Sequence, residues 1–407
     1  MPKRVIVIGA GAAGTMAAIF AASGGADTVL LEGTRDGGRK ILISGGGRCN
    51  VLPMRLDESR FVTDSSPNLL RKMVRAWPLA DQRAFFEQTL GIPLEEEAES
   101  LKLFPASHRA RDVRDGLLSY ARAQGVRIRF DTRVTGIARN TDAWEVRVEH
   151  DVPLIADAVI VATGGLSVPN TGSDGAGLHM LTALGHTTHR TYAALTPLTS
   201  NDAAFNALSG VSLSVTLNAR SDERSATATG GFLFTHHGYS GPSVLNVSHV
   251  AVRSRQQPAS AATVRVQWTT LDAAQWDAAL KPHGARTVTG ALRAELPDRL
   301  VTVLLSQANV DAHRPLSELR RDERLRLIDV LVRGELPWLG DEGYKKAEVT
   351  GGGIALDQVH ARTMESRHHP GLYLCGEVLD AFGPIGGYNF LWAWTTGRAA
   401  GIAAAQP

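Results

Sequence analysis

Gly9, Gly11 and Gly14 form the first group of residues whose types and spacing can do chemistry. An apolar β-branched run, Val5 to Ile8, leads into them, and an alanine-rich stretch follows. A second apolar run, Thr28 to Leu31, then ends in Glu32, eighteen residues after Gly14. Glycine at position 9 permits a tight strand-to-helix turn, at 11 lets the backbone approach a pyrophosphate, and at 14 brings helix and strand close together. The amides around Gly11, Ala12, Ala13 and Gly14, with the helix dipole behind them, suit a diphosphate. Glu32 can accept hydrogen bonds from both hydroxyls of an adenosine ribose, and its charge repels a 2′-phosphate. The motif therefore predicts FAD or NAD as the first cofactor, not NADP.

Three further blocks return to the same chemistry. In Arg39-Lys40-Ile41-Leu42-Ile43-Ser44-Gly45-Gly46-Gly47-Arg48-Cys49-Asn50, three consecutive glycines offer no side-chain packing. They point to a backbone that passes close to something flat or charged. We expect Arg39, Lys40, Ser44, Gly45, Gly46, Gly47, Arg48 and Asn50 at the cofactor. The buried-strand pattern Ala158 to Val161 ends in Ala162-Thr163-Gly164-Gly165, which brings the chain back beneath the first strand, and Val134 is a further expected contact. Near the end, a strand running into Gly376-Glu377 is followed by Asp380, then by Gly386-Gly387-Tyr388-Asn389-Phe390 at a helix start. Asp380 suits a ribityl hydroxyl. The Gly387 to Phe390 amides suit the flavin pyrimidine, where a helix end favours negative charge at N1 and O2. A branched side chain at Gly387 is expected to occupy the isoalloxazine's space. Trp392 and Trp394 read as helix packing.

Hydride delivery from a flavin to a carbon would also need a proton donor. Cys49, in the glycine loop, and His236 are the candidates, although a single cysteine is more often a small buried apolar residue. Lys102 to Arg133 carries eight Lys or Arg against three Asp, and Lys345-Lys346 adds two more cations. This run is a solvated face or a surface for phosphates.

These residues need elements to position them. At 407 residues, with 43% hydrophobic and 21% charged content, the chain is long enough for two or three domains with full cores. A net charge of +2 gives no general argument for nucleic acid or membrane, and two cysteines make no disulfide framework. No leader pattern precedes the first strand and no apolar run would span a bilayer, so a cytoplasmic protein is expected. Apolar spacing predicts helices over 68–77, 78–90 and 110–124, and a side sheet containing 126–130 and 144–148. The stretches 212–217, 226–234 and 263–269 alternate like antiparallel strands, and 272–333 turns helical. The expected fold is α/β: a three-layer, Rossmann-like FAD-binding domain with a parallel sheet, formed by 1–190 and 346–407. A β-rich, barrel-like domain (191–271 and 334–345) and a helical subdomain (272–333) are inserted.

The same blocks carry a resemblance. With Phe234-Thr235-His236-x-Gly238-x-Ser240-Gly241-Pro242, Val349-Thr350-x-Gly352-Gly353 and Thr363-Met364-Glu365-Ser366, the chain resembles bacterial flavoproteins of the aminoacetone-oxidase or bile-acid-reductase type. That family also includes ribosomal RNA dihydrouridine synthase-like members. Gly351 stands where many relatives have another residue. The resemblance implies an FAD domain assembled from both chain ends, and leaves three functions in competition. The first is reduction of a conjugated carbon-carbon double bond by NAD(P)H, possible acceptors being a small molecule or uridine in ribosomal RNA. The second is an amine oxidase using oxygen, and the third a flavin-binding module without catalysis. No second strand-Gly-x-Gly-x-x-Gly-helix unit follows residue 190, so NAD(P)H would be a diffusible donor visiting a shared site in a two-step exchange. DNA, a membrane and a metal are not expected, and the oligomeric state is left open.

Overall fold

The computed structural model describes residues 1–98, 100–141, 143–256, 261–282 and 286–406. Its contacts divide the chain into two units, Met1–Thr191 with Val349–Pro407, and Tyr192–Glu348. Glu99, and 283–285 within the expected helical stretch, lie outside the described residues.

The first unit is built on a five-stranded parallel sheet in the order Leu372–Leu374, Ala158–Val161, Arg4–Ile8, Asp27–Leu31, Arg127–Arg129. Val5 to Ile8 and Ala158 to Val161 are buried along their whole length. Strands covered on both faces read as continuous apolar runs, and these two do. Register is set by Val5 opposite Ala158 and Ile8 opposite Leu31, so the glycine turn, Glu32 and Ala162 leave the sheet at the same edge.

One strand falls elsewhere than expected. Arg127–Arg129 is not part of a side sheet but the edge of the parallel sheet, where Arg127 also pairs with Asp27 at 2.8 Å. An Arg-Ile-Arg alternation is what an edge strand with one open flank shows, and the sequence does not distinguish that from a small separate sheet. The side sheet is instead Val134–Asn140, Ala143–Val148 and Leu154–Ala156. A third small sheet orders Leu52–Pro53, Lys102–Pro105 and Leu94–Glu97.

The first helix (Ala12–Ser23) lies against the last (Tyr388–Ala405) with almost no side chain between them. A Cβ on Gly397 would stand 2.3 Å from the Ala13 carbonyl oxygen, and one on Gly401 2.3 Å from that of Ala17. Both helices are rich in alanine and glycine because this backbone approach admits nothing larger.

The second unit carries a seven-stranded sheet whose long strands, Ser212–Arg220, Ser225–Thr235 and Thr263–Gln267, are antiparallel. A single segment, Gly334–Asp341, supplies both sheet edges. Phe205, Phe232, Phe234, Tyr239 and Trp268 fill its centre. Helices Ala273–Ala279, Val288–Leu292, Asp298–Ala308 and Arg321–Arg333 share that core. Asp272 starts the first of them with a reciprocal cap to Gln275.

The basic run is partly neutralised in place. Arg114 pairs with Asp115, Arg127 with Asp27, Arg129 with Asp151 and Arg133 with Asp174.

A buried histidine makes the first unit sensitive to acid. His186 Nε2 lies 2.8 Å from Ser366 Oγ, and its Nδ1 lies 3.1 Å from the Leu181 carbonyl. Ser366 Oγ already accepts the His368 and His369 amides, so its hydroxyl donates to Nε2 and the neutral ring donates from Nδ1. Burial first, reinforced by His369 and His368, outweighs the Leu181 bond and holds the pKa below 6.5. The unfolded chain therefore binds this proton more readily, and the contribution present above 6.5 is lost as pH falls. The urea midpoint should drop between about pH 7 and about pH 5, and drop less in His186→Gln; equal drops would rule out this source. In the helix pair, Gly401→Ala should cost about 1–3 kcal/mol by chemical denaturation, because the methyl group meets backbone that cannot yield.

Candidate functional site

At the start of the first helix, two of the three glycines are used by the chain itself. Gly9 has φ 102°, and a Cβ there would lie 2.6 Å from the Ala162 carbonyl oxygen. A Cβ on Gly14 would lie 1.8 Å from the Gly9 oxygen. Gly11 differs, since a Cβ there would meet nothing within 4 Å. No acid in the first helical turn neutralises the amides. Open backbone beside a helix start is the kind of cradle that could hold a diphosphate.

Glu32 stands beside it. One carboxylate oxygen accepts the Ala10 amide at 2.8 Å, and the other accepts the Thr34 amide at 2.9 Å and hydroxyl at 2.7 Å. These bonds fix the carboxylate and leave lone pairs for ribose hydroxyls. The Thr132 amide donates to the Glu32 carbonyl at 2.8 Å and so brings the 129–134 segment alongside, with Val134 buried in its strand. Ala12 is half-buried, Ala13 and Ala162 are buried, and Thr163 packs against Gly177. A Cβ on Gly164 would meet Ser173 Oγ at 2.8 Å, and one on Gly376 would meet Ala13 Cβ at 2.7 Å. Arg39 binds Asp36 at 2.6 Å and the Asn170 carbonyl at 3.2 Å.

A polar network ties together four segments distant in sequence. Lys40 Nζ lies 2.6 Å from Glu377 Oε2 and 2.6 Å from Ser167 Oγ, and Ser167 Oγ donates to Glu377 Oε1 at 2.6 Å. The Thr350 amide also donates to Oε1, at 3.0 Å. Burial pushes the Glu377 carboxyl upward, but the Lys40 charge and the bonds from Lys40, Ser167 and Thr350 outweigh it, and the pKa lies below the ordinary value. Lys40 and Glu377 are thus held by one another. Lys40 and Glu377 were both expected at the site, without their partnership; Ser167 and Thr350 were not among the expected site residues, and nothing local in the sequence marks them.

The glycine loop occupies a third region. Gly45, Gly46 and Gly47 have φ of 56°, 67° and 86°, a left-handed run that favours glycine at each step. Gly46 has nothing within 4 Å of its Cβ position. Ser44 Oγ closes the preceding helix on the Ile41 carbonyl, and Asn50 Oδ1 lies against Gly45 without a hydrogen-bond partner. Arg48 stacks on Phe104 at 4.1 Å and binds Glu97 at 2.9 Å. At the far chain end, Gly386 and Gly387 have φ of 103° and 91° and lead into the last helix. Tyr388 is buried with its hydroxyl on the Arg55 carbonyl, and Phe390 stacks on Trp394. Asn389 is a clamp: its side chain accepts the Gly383 amide at 2.9 Å and donates to the Gly383 carbonyl at 3.0 Å.

Three expectations change. Cys49 is 0% exposed, and burial pushes its thiol up to about 12. A proton donor must present surface to the reacting atoms, and Cys49 presents none, so it is a packed core residue. A side chain on Gly387 would collide first with Leu52, whose carbonyl carbon lies 2.4 Å from the Cβ position, rather than enter space meant for a ring. Asp380 is 2% exposed, and one of its oxygens accepts Thr63 and Ser65 hydroxyls and the Asp64 and Ser65 amides. It holds the 63–65 loop, and only its other oxygen is left for a ribityl group. Burial raises its pKa against those bonds and the nearby His189. His236 is exposed on the turn between Ser225–Thr235 and Gly238–Ser240 of the second unit. Among the described residues no cluster of His, Cys, Asp or Glu could hold a metal ion, and no helix is long and apolar enough to cross a membrane.

A parallel sheet, an open glycine turn and a pinned acid at the second strand end define a dinucleotide-binding Rossmann protein. Residues 3–403 match the HI0933-like protein Rossmann domain, and the chain belongs to this family of FAD-binding oxidoreductases. A ribosomal RNA dihydrouridine synthase of Escherichia coli K12 is 31% identical over 405 residues, covering 96% of this chain and 95% of that one. A 3-dehydro-bile acid delta(4,6)-reductase of Clostridium scindens is 31% identical over 412 residues, covering 99% of each. Among solved structures, the open conformation of a flavocytochrome c3 fumarate reductase has a TM-score of 0.51 at 17% identity, over 99% of this chain and 78% of that one, a likeness of fold.

The glycines give a discriminating pair of variants. Gly11→Val should fold, losing at most about 1 kcal/mol of cap preference, yet bind FAD at least about tenfold more weakly. Gly14→Ala should instead lose stability, because its methyl group meets the Gly9 carbonyl. Thermal unfolding and FAD titration separate the two; equal FAD affinity in Gly11→Val would remove the cradle.

Proposed function

We propose that the protein is an FAD-dependent reductase, driven by NAD(P)H, that saturates a carbon-carbon double bond conjugated to a carbonyl, and that its acceptor is uridine in ribosomal RNA. The observation that carries the FAD site is the contrast between Gly9 and Gly14, closed against the chain, and Gly11, open beside the fixed Glu32 carboxylate. The names of two full-length relatives support the chemistry, since uridine C5–C6 and a steroid enone are both polarised double bonds.

In this reading 1–190 with 346–407 bind FAD, while 191–271 with 334–345 and the helical 272–333 serve the acceptor. The amides at 11–14 hold the diphosphate and Glu32 the ribose. Lys40 and Glu377 fix the floor between them, and the Gly387 to Phe390 amides meet the pyrimidine edge. Bound FAD supplies a two-electron carrier: hydride from NAD(P)H reaches one alkene carbon, a proton adds to the other, and NAD(P)⁺ leaves. Arg109, Arg111 and Arg122, outside the ion pairs of the basic run, suit RNA phosphates in the cytoplasm. A stacked base would have to be splayed out, which favours unfolded or precursor RNA.

Deleting the gene should remove a dihydrouridine from ribosomal RNA, read by nucleoside mass spectrometry, and NAD(P)H should bleach the flavin without oxygen. RNA binding should weaken steeply with salt. Retained dihydrouridine together with rapid peroxide-forming oxidation of small amines would replace this reading with the oxidase. Saturation of a steroid enone, with ribosomal RNA unchanged, would replace only the acceptor.

A further inference from the structure

Lys102 belongs to none of the motifs that point to a cofactor, yet it packs against the glycine turn ahead of the last helix. Its strand, Lys102–Pro105, lies between Leu52–Pro53 and Leu94–Glu97. Leu52 is the residue whose backbone meets Gly387, so this small sheet is packed directly on the turn that starts the last helix. The Lys102 stem runs along the neighbouring glycine. Its Cε, Cγ and Cδ lie 3.3, 3.4 and 3.8 Å from the Cβ position of Gly386. A side chain at 386 would displace it, and glycine there keeps the lysine down against the turn.

The charge at the end of this stem has only a long-range partner within the chain, Glu97. The acid opposite Lys102 across the hairpin is Glu97, and its carboxylate is engaged by Arg48 at 2.9 Å and by the Ser100 hydroxyl. Lys102 is half-buried, and among the described residues its ammonium makes no hydrogen bond or salt bridge; its charge reaches the Glu97 carboxylate only as the last and smallest influence, after the bonds from Ser100 and Arg48. A half-buried cation whose facing acid is already bonded to two other groups keeps capacity for a ligand of opposite charge. Arg48 could have stood in the same role, but its guanidinium is held by Phe104 and Glu97.

We infer that Lys102 is an electrostatic residue of the cofactor site, whose ammonium favours negative charge at the pyrimidine edge of the flavin and so raises its reduction potential. The inference rests on the reading that this edge meets the Gly387 to Phe390 amides, which directly follow Gly386. Lys102 adds a full charge to the partial charge of the last helix's amides, and such preorganised charge acts most where water is scarce. It assigns the residue a thermodynamic task and not a proton-transfer one.

The test compares the whole protein with Lys102→Met, which keeps an apolar stem, and Lys102→Arg, which keeps the charge. FAD affinity is measured by titration, and the two-electron midpoint by dithionite reduction against a reference dye, so neither needs the natural donor or acceptor. Lys102→Met should bind oxidised FAD nearly as well as the wild type but favour reduced over oxidised FAD about tenfold less, a midpoint about 30 mV more negative. Lys102→Arg should recover most of that shift. An unchanged midpoint in Lys102→Met, with FAD bound, would overturn the role of Lys102 and leave the FAD reading intact. A wild-type protein that binds no FAD would overturn both.

Discussion

The approach of backbone to backbone around the first helix is the constraint on which the rest of the first unit depends. On one side Gly14 admits the Gly9 carbonyl where no Cβ could stand. On the other, Gly397 and Gly401 admit the carbonyls of Ala13 and Ala17. A helix held on two sides without intervening side chains has little freedom to shift or rotate, because such contacts are steeply repulsive when shortened. Its free amides are therefore fixed relative to the sheet. The second consequence is topological. The last helix is locked to the first, so residues near 390 come to lie beside residues near 50, and the Trp394 indole donates to the Val51 carbonyl at 3.0 Å. The first unit is thus closed by its own two chain segments, Met1–Thr191 and Val349–Pro407, with Tyr192–Glu348 inserted between them in sequence.

Electrostatics in this protein is local. Net charge is close to balanced, and most of the cations in the basic run that looked suited to phosphates are either paired with a nearby acid or exposed singly. The carboxylates proposed to meet a dinucleotide are instead few and held from several directions. Glu32 is fixed by Ala10 and Thr34, and Glu377 by Lys40, Ser167 and Thr350. Each carboxylate is oriented before any ligand arrives, which lowers the ordering cost of binding.

Much of this was legible in the sequence because the relevant signals are short. Turn geometry, strand burial and the acid after the second strand lie within thirty-two residues, and each has one dominant physical cause. The antiparallel strands of the second unit were visible from alternation alone. What escaped was set by tertiary partners. Lys40 and Glu377 are 337 residues apart, and nothing local says that they meet. Lys102 reads as one cation in a basic run until Gly386 is found beneath it. Arg127–Arg129 has the pattern of any short edge strand. Gly387 and Cys49 illustrate a further limit: a glycine announces crowding but not by what, and a cysteine in a motif-rich loop does not announce that its thiol faces the core.

The central claim is that FAD is held by backbone from both ends of the chain. Amide hydrogen exchange followed by mass spectrometry, on the protein stripped of FAD and then saturated with it, tests that claim directly. Segments containing Gly9 to Gly14, Ser44 to Asn50 and Gly386 to Phe390 should all gain protection on FAD binding, while the strands at 212–220 and 225–235 stay unchanged. Protection confined to the second unit, or to the first glycine turn with none near Gly386, would contradict it.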